Sequence, residues 1–405
     1  MKKCRQGLLL FSAVALFASV ACSHPTIDLE KLKPAELHAG PYSFMVPPYS
    51  YYYYHNIDKL GFHLDWVKRL DPIYPLENSG KSFTVDYTFK HHTYTLDQYY
   101  KRNAVLGFLV LKYNHIIVER YFHGSNEQSR FVSNSVGKSI TSELFGIALA
   151  HTKGASVNDP VIKYLPELKD SGYKNVTLKQ VLQMATGVAA TENGLDPHST
   201  IQALSEAVVL GNTPFSTILK SIKENPAVKP GTEFDYESVN SQVLGMIIEK
   251  MTGMSFSAYL QKMIWSKIGA QSDAFIYRSK MQPEQPTFGC INVTLRDYGR
   301  FGLMMMNDGM VGKTRVVSAS WVKDSTTPHF PQPKDREFGY GYQWWIPQNS
   351  DGAYEAQGVY GQIIYVNPKK HIVIVETAAW PKPDVAKRWT ESTSVINAII
   401  AKLSQ

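Results

Sequence analysis

The sequence is poor in cysteine, and its three cysteines leave no pair for a disulfide within the folded body. Cys4 and Cys22 lie at the N-terminal end, whereas Cys290 stands alone in the rest of the chain. We therefore predict that packing, not cross-linking, stabilises the fold. We interpret Cys290 as a buried structural residue, with a thiol nucleophile as the alternative.

Charged residues are also scarce, at 19% of the chain, and lysine and arginine form no dense block. The formal charge of +7 falls to +4 without Lys2, Lys3 and Arg5, which is too dilute for a nucleic-acid groove. Neither a G-x-G-x-x-G segment nor a P-loop occurs, so we predict no nucleotide cofactor. The histidines are scattered and no H-E-x-x-H motif occurs, so we predict no metal.

The N-terminus does contain the pattern of an export signal. Three basic residues precede an apolar stretch from Leu8 to Val20, and the small residue Ala21 precedes Cys22. This pattern predicts a signal peptide over residues 1–21, because a membrane span takes about 20 apolar residues and the stretch is shorter. A short membrane anchor is the alternative.

Residues 19–22, which read S-V-A-C, resemble a bacterial lipobox. We therefore predict that Cys22 carries lipid and anchors the exported protein to a membrane, in the periplasm or at the cell surface. Secretion without lipid is the alternative.

Residues 22–60, which are rich in proline and end near the tyrosine cluster 51–54, predict a tether that wraps onto the body. The tyrosines either pack against the body or form a binding surface.

Hydrophobic periodicity divides the remaining chain into strand-like and helix-like segments. A hairpin is predicted from Val105–Leu111 and Ile116–Phe122, which flank a polar turn. Apolar residues at helical spacing or helix-end signals predict helices over 139–150, 176–184 and 241–251, and a last helix ending near residue 403. Strand patterns return over residues 340–346, 362–366 and 372–375.

Strands at both ends of the chain with helices between them predict an α/β (α+β) fold. In this interpretation residues 61–405 form one domain with an antiparallel sheet built from N- and C-terminal strands and flanked by helices. The sheet part covers about residues 61–130 and 285–405, and an inserted helical part covers about residues 131–284. A cleft between the two parts is the expected place for a site.

The candidate nucleophile is Ser135, which opens the segment S-V-G-K. Serine is a poor nucleophile at neutral pH and needs a base within hydrogen-bond reach. Residues three apart share a helix face, so Lys138 is predicted to lie beside the Ser135 hydroxyl at the N-terminus of a helix. The same spacing occurs at Ser171–Lys174 and Ser320–Lys323, which we interpret as coincidences, because neither follows a hairpin or opens a long apolar-faced helix.

The segment over residues 131–141, F-V-S-N-S-V-G-K-S-I-T, resembles the nucleophile segment of class C β-lactamases and penicillin-binding-protein-like esterases. Residues 176–187 and the R-D-Y-G-R-F-G segment at 296–302 extend the resemblance over roughly residues 100 to 400. The resemblance implies a β-lactamase/transpeptidase-like fold and a serine nucleophile at Ser135. The alternative nucleophile motifs have no such support.

The second motif of that family, a tyrosine after a Pro-Gly turn, corresponds to Tyr236. The family's asparagine position is occupied by Ser238, a form that most resembles 6-aminohexanoate-dimer hydrolases and related esterases. Tyrosine and lysine have unperturbed pKa values near 10 and 10.4, so both need help from their surroundings. We expect a coupled pair in which the Lys138 charge favours the phenolate of Tyr236 and burial favours the neutral amine.

The third motif, K-T-G, has no literal counterpart, and by position Ala356 replaces its lysine before Gly358. The resemblance implies an oxyanion hole formed by the backbone N–H groups of Ser135 and Val359. It also implies substrate-binding positions at Ser238, Gly358 and Tyr360. Loss of the asparagine and the lysine favours ester or small-amide hydrolysis over β-lactam hydrolysis.

We therefore predict an exported serine hydrolase that acts on a small ester, amide or peptide, without cofactor or nucleic-acid partner. The alternatives are a D-amino-acid peptidase, a weak β-lactamase, and a non-catalytic binding protein on the same fold. Retention of Ser135, Lys138 and Tyr236 together favours the enzyme.

Overall fold

The computed structural model describes residues 49–80, 82–194, 196–329, 338–348, 350–382 and 386–405, which all belong to one compact unit. The predicted signal peptide, the lipid site at Cys22 and most of the predicted tether lie outside the described residues. Among the described helices, none has the length and apolar character needed to cross a membrane.

The described strands are β1 His63–Val67, β2 Glu77–Asn78, β3 Asp86–Phe89, β4 His92–Thr95, β5 Val105–Lys112, β6 His115–Tyr121, β7 Arg130–Val132, β8 Ala274–Arg278, β9 Ile291–Thr294, β10 Met310–Val311, β11 Thr314–Arg315, β12 Phe338–Tyr340, β13 Trp345–Pro347, β14 Tyr354–Gly358, β15 Gln362–Asn367 and β16 Ile372–Ala378.

The α-helices are α1 Tyr49–Tyr53, α2 Leu96–Arg102, α3 Val136–His151, α4 Leu178–Leu182, α5 Thr200–Leu210, α6 Phe215–Ser221, α7 Ser238–Thr252, α8 Phe256–Leu260, α9 Leu295–Met306, α10 Ala319–Ser325 and α11 Ala386–Leu403. Short 3-10 turns cover Ile57–Lys59, Val161–Lys163 and Pro166–Leu168, and a π turn covers Gln261–Trp265.

The main sheet has eight strands in the order β12-β13-β14-β15-β16-β5-β6-β2. Its pairs are antiparallel apart from the parallel edge pair of β2 and β6. At the centre of the main sheet, strand β16 from the C-terminal part of the chain pairs with strand β5 from the N-terminal part, and Ile374 lies opposite Val110. This confirms the predicted antiparallel sheet assembled from N- and C-terminal strands, and the hairpin of β5 and β6 is confirmed with it.

Helices pack on both faces of the main sheet, because successive side chains of a strand point to opposite faces and both faces are apolar here. Phe108 and Val110 of β5 join one apolar core with Val395 and Ile399 of α11. The opposite face meets α9, where a Cβ on Gly299 would lie 2.8 Å from a Leu109 methyl. The glycines of the R-D-Y-G-R-F-G segment therefore let α9 approach the sheet closely.

A second sheet of four strands, in the order β1-β8-β9-β7, lies outside the sequence prediction. Strand β8 falls within residues 131–284, which we predicted as the helical part. Its short apolar run, A-F-I-Y-R, is buried along most of its length. Periodicity does not separate such a strand from a buried helix segment, which explains the miss.

Two further boundaries differ from the prediction. The helix predicted over 176–184 forms only as α4, and the strand predicted over 340–346 is the end of β12, a turn, and the start of β13. Gln343 breaks that strand, since its backbone is left-handed with φ +64° and its side chain bonds Ser241. Helix α7 and its end at Gly253, with φ +65°, agree with the prediction apart from an earlier start.

The tyrosine cluster at the start of the described chain packs onto the body. Tyr53 and Tyr54 are buried, and the Tyr54 carbonyl accepts a 3.0 Å hydrogen bond from the backbone N–H of Val132. This favours the packing interpretation of the cluster and places Tyr54 directly behind the segment that carries Ser135.

Candidate active site

Ser135 lies at the N-cap of α3, and Lys138 lies on the same face of its first turn. The Lys138 Nζ is 2.8 Å from the Ser135 Oγ, within hydrogen-bond distance. The ammonium or amine also donates to the Phe288 carbonyl at 3.1 Å, which fixes its direction. The structure therefore brings together the nucleophile and base candidates that the S-x-x-K spacing predicted.

The Lys138 side chain is buried in the body of the protein, with 1% of its surface exposed. Burial lowers the pKa of Lys138 to about 8, because the charged form loses its hydration, while the Glu192 carboxylate partly opposes that shift. A substantial fraction of this amine is therefore neutral in mildly basic solution and able to accept a proton.

Tyr236 lies beside both groups, with its ring centroid 5.0 Å from the Lys138 Nζ and its hydroxyl hydrogen-bonded to Ser135. Burial and the Glu192 carboxylate raise the pKa of Tyr236, and the Ser135 bond opposes this only in part. The expectation that Lys138 would favour a phenolate is therefore wrong. The surroundings keep Tyr236 as a neutral phenol that can donate a proton.

Three aromatic side chains pack around Tyr236. Its ring stacks on Trp345 at 5.4 Å and meets Tyr340 edge-on at 6.1 Å, and Phe234 packs against both of these partners. These side chains come from β12, β13 and the turn before α7, so sequence spacing gave no indication that they meet. They fix the Tyr236 ring and give this side of the site an apolar surface.

Gly358, at the end of β14, lies directly against the nucleophile turn. A Cβ at Gly358 would be 2.7 Å from the Ser133 carbonyl oxygen and 3.0 Å from the Ser135 backbone nitrogen. Any side chain would therefore displace the turn, and the peptide that leads into Val359 begins beside the Ser135 N–H. Tyr360 follows with φ +66°, and its ring packs edge-on against Tyr54 with 8% of the residue exposed.

Ser238 lies at the first position of α7 and binds a carboxylate that the sequence analysis missed. Its backbone N–H donates to Glu192 Oε2 at 2.8 Å, and its hydroxyl donates to Oε1. A carboxylate at a helix N-terminus is favoured by the unpaired N–H groups and the helix dipole. Burial raises the pKa of Glu192, and the nearby Lys138 charge opposes that change.

Cys290 is buried on the β9 side of the site, and burial raises the pKa of its thiol to about 12. The expected burial is confirmed, and a thiol of this pKa is a weak nucleophile. The part of the chain that the structure describes holds no group of three His, Cys, Asp or Glu side chains placed to bind a metal.

A family model described as Beta-lactamase matches residues 95–395, which are most of the chain and include Ser135, Lys138 and Tyr236. The chain belongs to the beta-lactamase family. This confirms the resemblance stated from the motifs. Because the beta-lactamase family is a family of hydrolases, this chain belongs to a hydrolase family.

Two relatives of this beta-lactamase-family chain share its general size. A 6-aminohexanoate-dimer hydrolase from Paenarthrobacter ureafaciens is 30% identical over 321 residues, covering 73% of this chain and 77% of the relative. The solved structure of a Bacillus anthracis protein, provisionally assigned as a 6-aminohexanoate-dimer hydrolase, has a TM-score of 0.80 at 24% identity, covering 92% of this chain and 99% of that one. The similarity to the Bacillus anthracis structure shows that the two chains share a fold.

EstCE1, a hydrolase with promiscuous acyltransferase activity, aligns with a TM-score of 0.61 at 13% identity, covering 75% of this chain and 96% of its own. These similarities confirm the predicted β-lactamase/transpeptidase-like fold.

Proposed function

We propose that this chain is a serine hydrolase that cleaves esters or small amides through an acyl-enzyme on Ser135. The observation that carries the proposal is the 2.8 Å contact between the Ser135 hydroxyl and the buried Lys138 amine. A serine with a base at this distance has the arrangement that nucleophilic catalysis requires. The 6-aminohexanoate-dimer hydrolase among the relatives is, by its name, an enzyme for an amide.

In the acylation step, neutral Lys138 takes the proton of Ser135 as the serine oxygen bonds to the substrate carbonyl carbon. The carbonyl electrons move to oxygen, and the oxyanion accepts hydrogen bonds from the Ser135 and Val359 backbone N–H groups. One such donor contributes about 3 kcal/mol of transition-state stabilisation. The C–O or C–N bond then breaks as the leaving group takes the Tyr236 phenol proton.

The Tyr236 proton is replaced from the Lys138 ammonium, which restores both groups. Water then attacks the acyl carbon while Lys138 accepts its proton, and the Lys138 ammonium returns that proton to the Ser135 oxygen as its bond to the acyl carbon breaks and the acid product forms. Protons and electron pairs balance over the two steps without a cofactor. The raised pKa of Tyr236 and the lowered pKa of Lys138 support this division into acid and base.

Charge in the site supports a neutral or cationic substrate over an anionic one. Glu192 adds a carboxylate next to Ser238, and Ala356 replaces the lysine of the K-T-G motif. The asparagine and the lysine that would position a β-lactam in the family are replaced here by Ser238 and Ala356. The aromatic surface of Tyr340 and Trp345 suits an apolar acyl or leaving group.

A fluorophosphonate probe and a panel of esters test the proposal when the wild type is compared with Ser135→Ala. We expect one labelled site per wild-type chain, and neither label nor turnover in the variant. Nitrocefin, a linear amide dimer and a D-Ala-D-Ala peptide then separate the substrate classes. Wild-type protein without label or turnover would favour a binding protein, and label persisting in Ser135→Ala would move the nucleophile elsewhere.

We also propose that the protein is exported and lipidated at Cys22, on the strength of the S-V-A-C segment that follows the apolar stretch. Metabolic labelling with a fatty acid tests this. The label should be present on the wild type and lost in Cys22→Ser. Equal labelling of the two chains would refute lipidation at this cysteine.

A further inference from the structure

Asn134, the residue before the proposed nucleophile, has an unusual backbone conformation. Its φ is +42°, in the left-handed region that asparagine tolerates better than most residues with a Cβ. Its carbonyl oxygen turns inward and accepts hydrogen bonds from the Gly137 N–H and the Ser133 hydroxyl, both at 3.0 Å. The conformation closes a tight turn immediately before Ser135, whose backbone nitrogen would lie 3.0 Å from a Cβ on Gly358.

The Asn134 side chain reaches across the site to the opposite turn. Its Nδ2 donates to the Val359 carbonyl at 2.9 Å, a contact between residues 225 positions apart. The same side chain also hydrogen-bonds the hydroxyl of Tyr54, which is 2% exposed. Because this half-buried amide binds both Val359 and Tyr54, it connects three segments of the chain and is not a solvated surface group.

Hydrogen bonds hold the turn that contains Val359 from two sides, since Asn134 binds it from the nucleophile segment and the Trp380 N–H and the Gln362 amide bind the Tyr360 carbonyl, both at 3.2 Å. Tyr360 and Gly361 both have left-handed backbones, with φ +66° and +89°. On the sheet side, the Gln362 side chain donates to the Ala378 carbonyl at 2.7 Å but reaches the Val359 carbonyl only at 3.4 Å. Asn134 therefore makes the shorter of these two side-chain contacts to Val359.

We infer that Asn134 is a positioning residue that holds the Ser135 and Val359 backbone N–H groups at the spacing needed to stabilise one oxyanion. The inference rests on the proposed acyl-enzyme function and adds a residue to it. The nucleophile turn and the β14–β15 turn belong to distant parts of the chain, and the Asn134 amide ties one directly to the other. Tyr54 supports that amide from behind.

The inference predicts a defect in the transition state rather than in substrate binding. Ground-state carbonyl groups bind such donors weakly, so kcat should fall while KM changes little. A misplacement of about 1 Å can cost 10²-fold in rate, and we expect Asn134→Gly to lower kcat by about ten- to a hundredfold. Glycine keeps the left-handed backbone, so this variant removes the link without the strain.

A matched pair of substrates makes the test specific. A p-nitrophenyl ester and its thiono analogue differ in the atom that the oxyanion hole binds, and sulfur accepts hydrogen bonds poorly. We expect the ratio of kcat for the oxygen ester to kcat for the thiono ester to fall at least fivefold in Asn134→Gly. A merely structural role would lower both rates together and leave the ratio unchanged, which would overturn the inference.

Two more variants and a control complete the design. Asn134→Asp keeps the shape but faces the Val359 carbonyl with an acceptor, so it should lower the ratio as well and decides the case if Asn134→Gly does not fold. Tyr54→Phe should give a smaller decrease. Asn175→Gly, which removes an exposed 3.3 Å amide contact to Glu224, should keep the wild-type ratio. Failure of both Asn134 variants to fold would assign the residue a structural role only.

The outcome is separable from that of the proposed function. Wild-type protein that neither labels nor turns over an ester would refute the acyl-enzyme itself, before any Asn134 variant is compared. An active wild type with an unchanged oxygen-to-sulfur ratio in the variants would refute only the role of Asn134.

Discussion

The Ser135 and Ser171 segments share the S-x-x-K spacing, and their surroundings differ in every respect that matters for chemistry. Lys138 is buried, with its Nζ 2.8 Å from the serine hydroxyl. Lys174 is exposed, and the Ser171 hydroxyl donates to the Leu168 carbonyl at 2.7 Å. The spacing brings a lysine near a serine where the two residues share a helix face, and burial then makes that lysine a base.

The third segment, Ser320–Lys323, meets the requirement for a helix but not the requirement for a buried lysine. Both residues lie in α10, so the helical spacing is present, yet both side chains are exposed and Ser320 contacts the Ser318 hydroxyl at 3.2 Å. The exposed Lys323 side chain keeps its contact with solvent, whereas that of Lys138 is 1% exposed. A helix alone is therefore insufficient, and desolvation of the amine is the property that distinguishes Lys138.

The largest predicted effect separates the two serines. Ser135→Ala should lower ester turnover by about 10⁴-fold or more, because the nucleophile is lost, whereas Ser171→Ala should keep kcat within twofold of wild type. Turnover of a p-nitrophenyl ester and intact-mass detection of fluorophosphonate adducts measure both. A comparable loss in Ser171→Ala at unchanged melting temperature would contradict the assignment of Ser135 as the nucleophile.

The two lysines give the next largest contrast. Lys138→Met fills the buried space without a base and should lower kcat by about 10³-fold, since general-base catalysis contributes about 10² to 10⁴. Lys174→Met changes an exposed side chain and should leave kcat unaltered. Steady-state kinetics with circular dichroism on the same samples checks both expectations. Wild-type kcat in a folded Lys138→Met protein would assign the proton to another group.

Tyr236→Phe should have a smaller effect that depends on the leaving group. If the neutral phenol donates a proton to the leaving group, the loss should reach about 10²-fold for an amide or alkyl ester. It should be several times smaller for a p-nitrophenyl ester, whose leaving group departs without a proton. Tyr365→Phe, which loses a buried hydroxyl that accepts from Asn367 at 3.2 Å, is the control. Equal losses across leaving groups would contradict a role as proton donor.

Much of the site was predictable wherever one helix or hairpin carries the information. The contact of Ser135 with Lys138 follows from the i, i+3 geometry of α3, and the hairpin of β5 and β6 follows from two apolar runs around a polar turn. Such contacts depend on residues close in sequence, so periodicity and end signals are sufficient to find them.

Contacts between distant segments were not predictable in this way. Glu192 meets Ser238 from a loop 46 residues away, and Asn134 meets Val359 over 225 residues, with no periodicity that connects either pair. The expected Tyr236 phenolate was wrong for the same reason. It took account of the Lys138 charge, which the spacing revealed, but not of the burial and of Glu192, which only the fold brings together.

The smallest predicted effect concerns pH and again depends on the buried lysine. The reaction requires neutral Lys138, so kcat/KM should rise with pH and level off above about 8, the pKa to which burial lowers this group. The Glu192 carboxylate stabilises the ammonium and so raises that pKa. Glu192→Gln should therefore move the rising limb of the profile to lower pH, and exposed Glu233→Gln should leave it in place. A profile that Glu192→Gln shifts to higher pH, or leaves in place, would show that this carboxylate does not act on the Lys138 base.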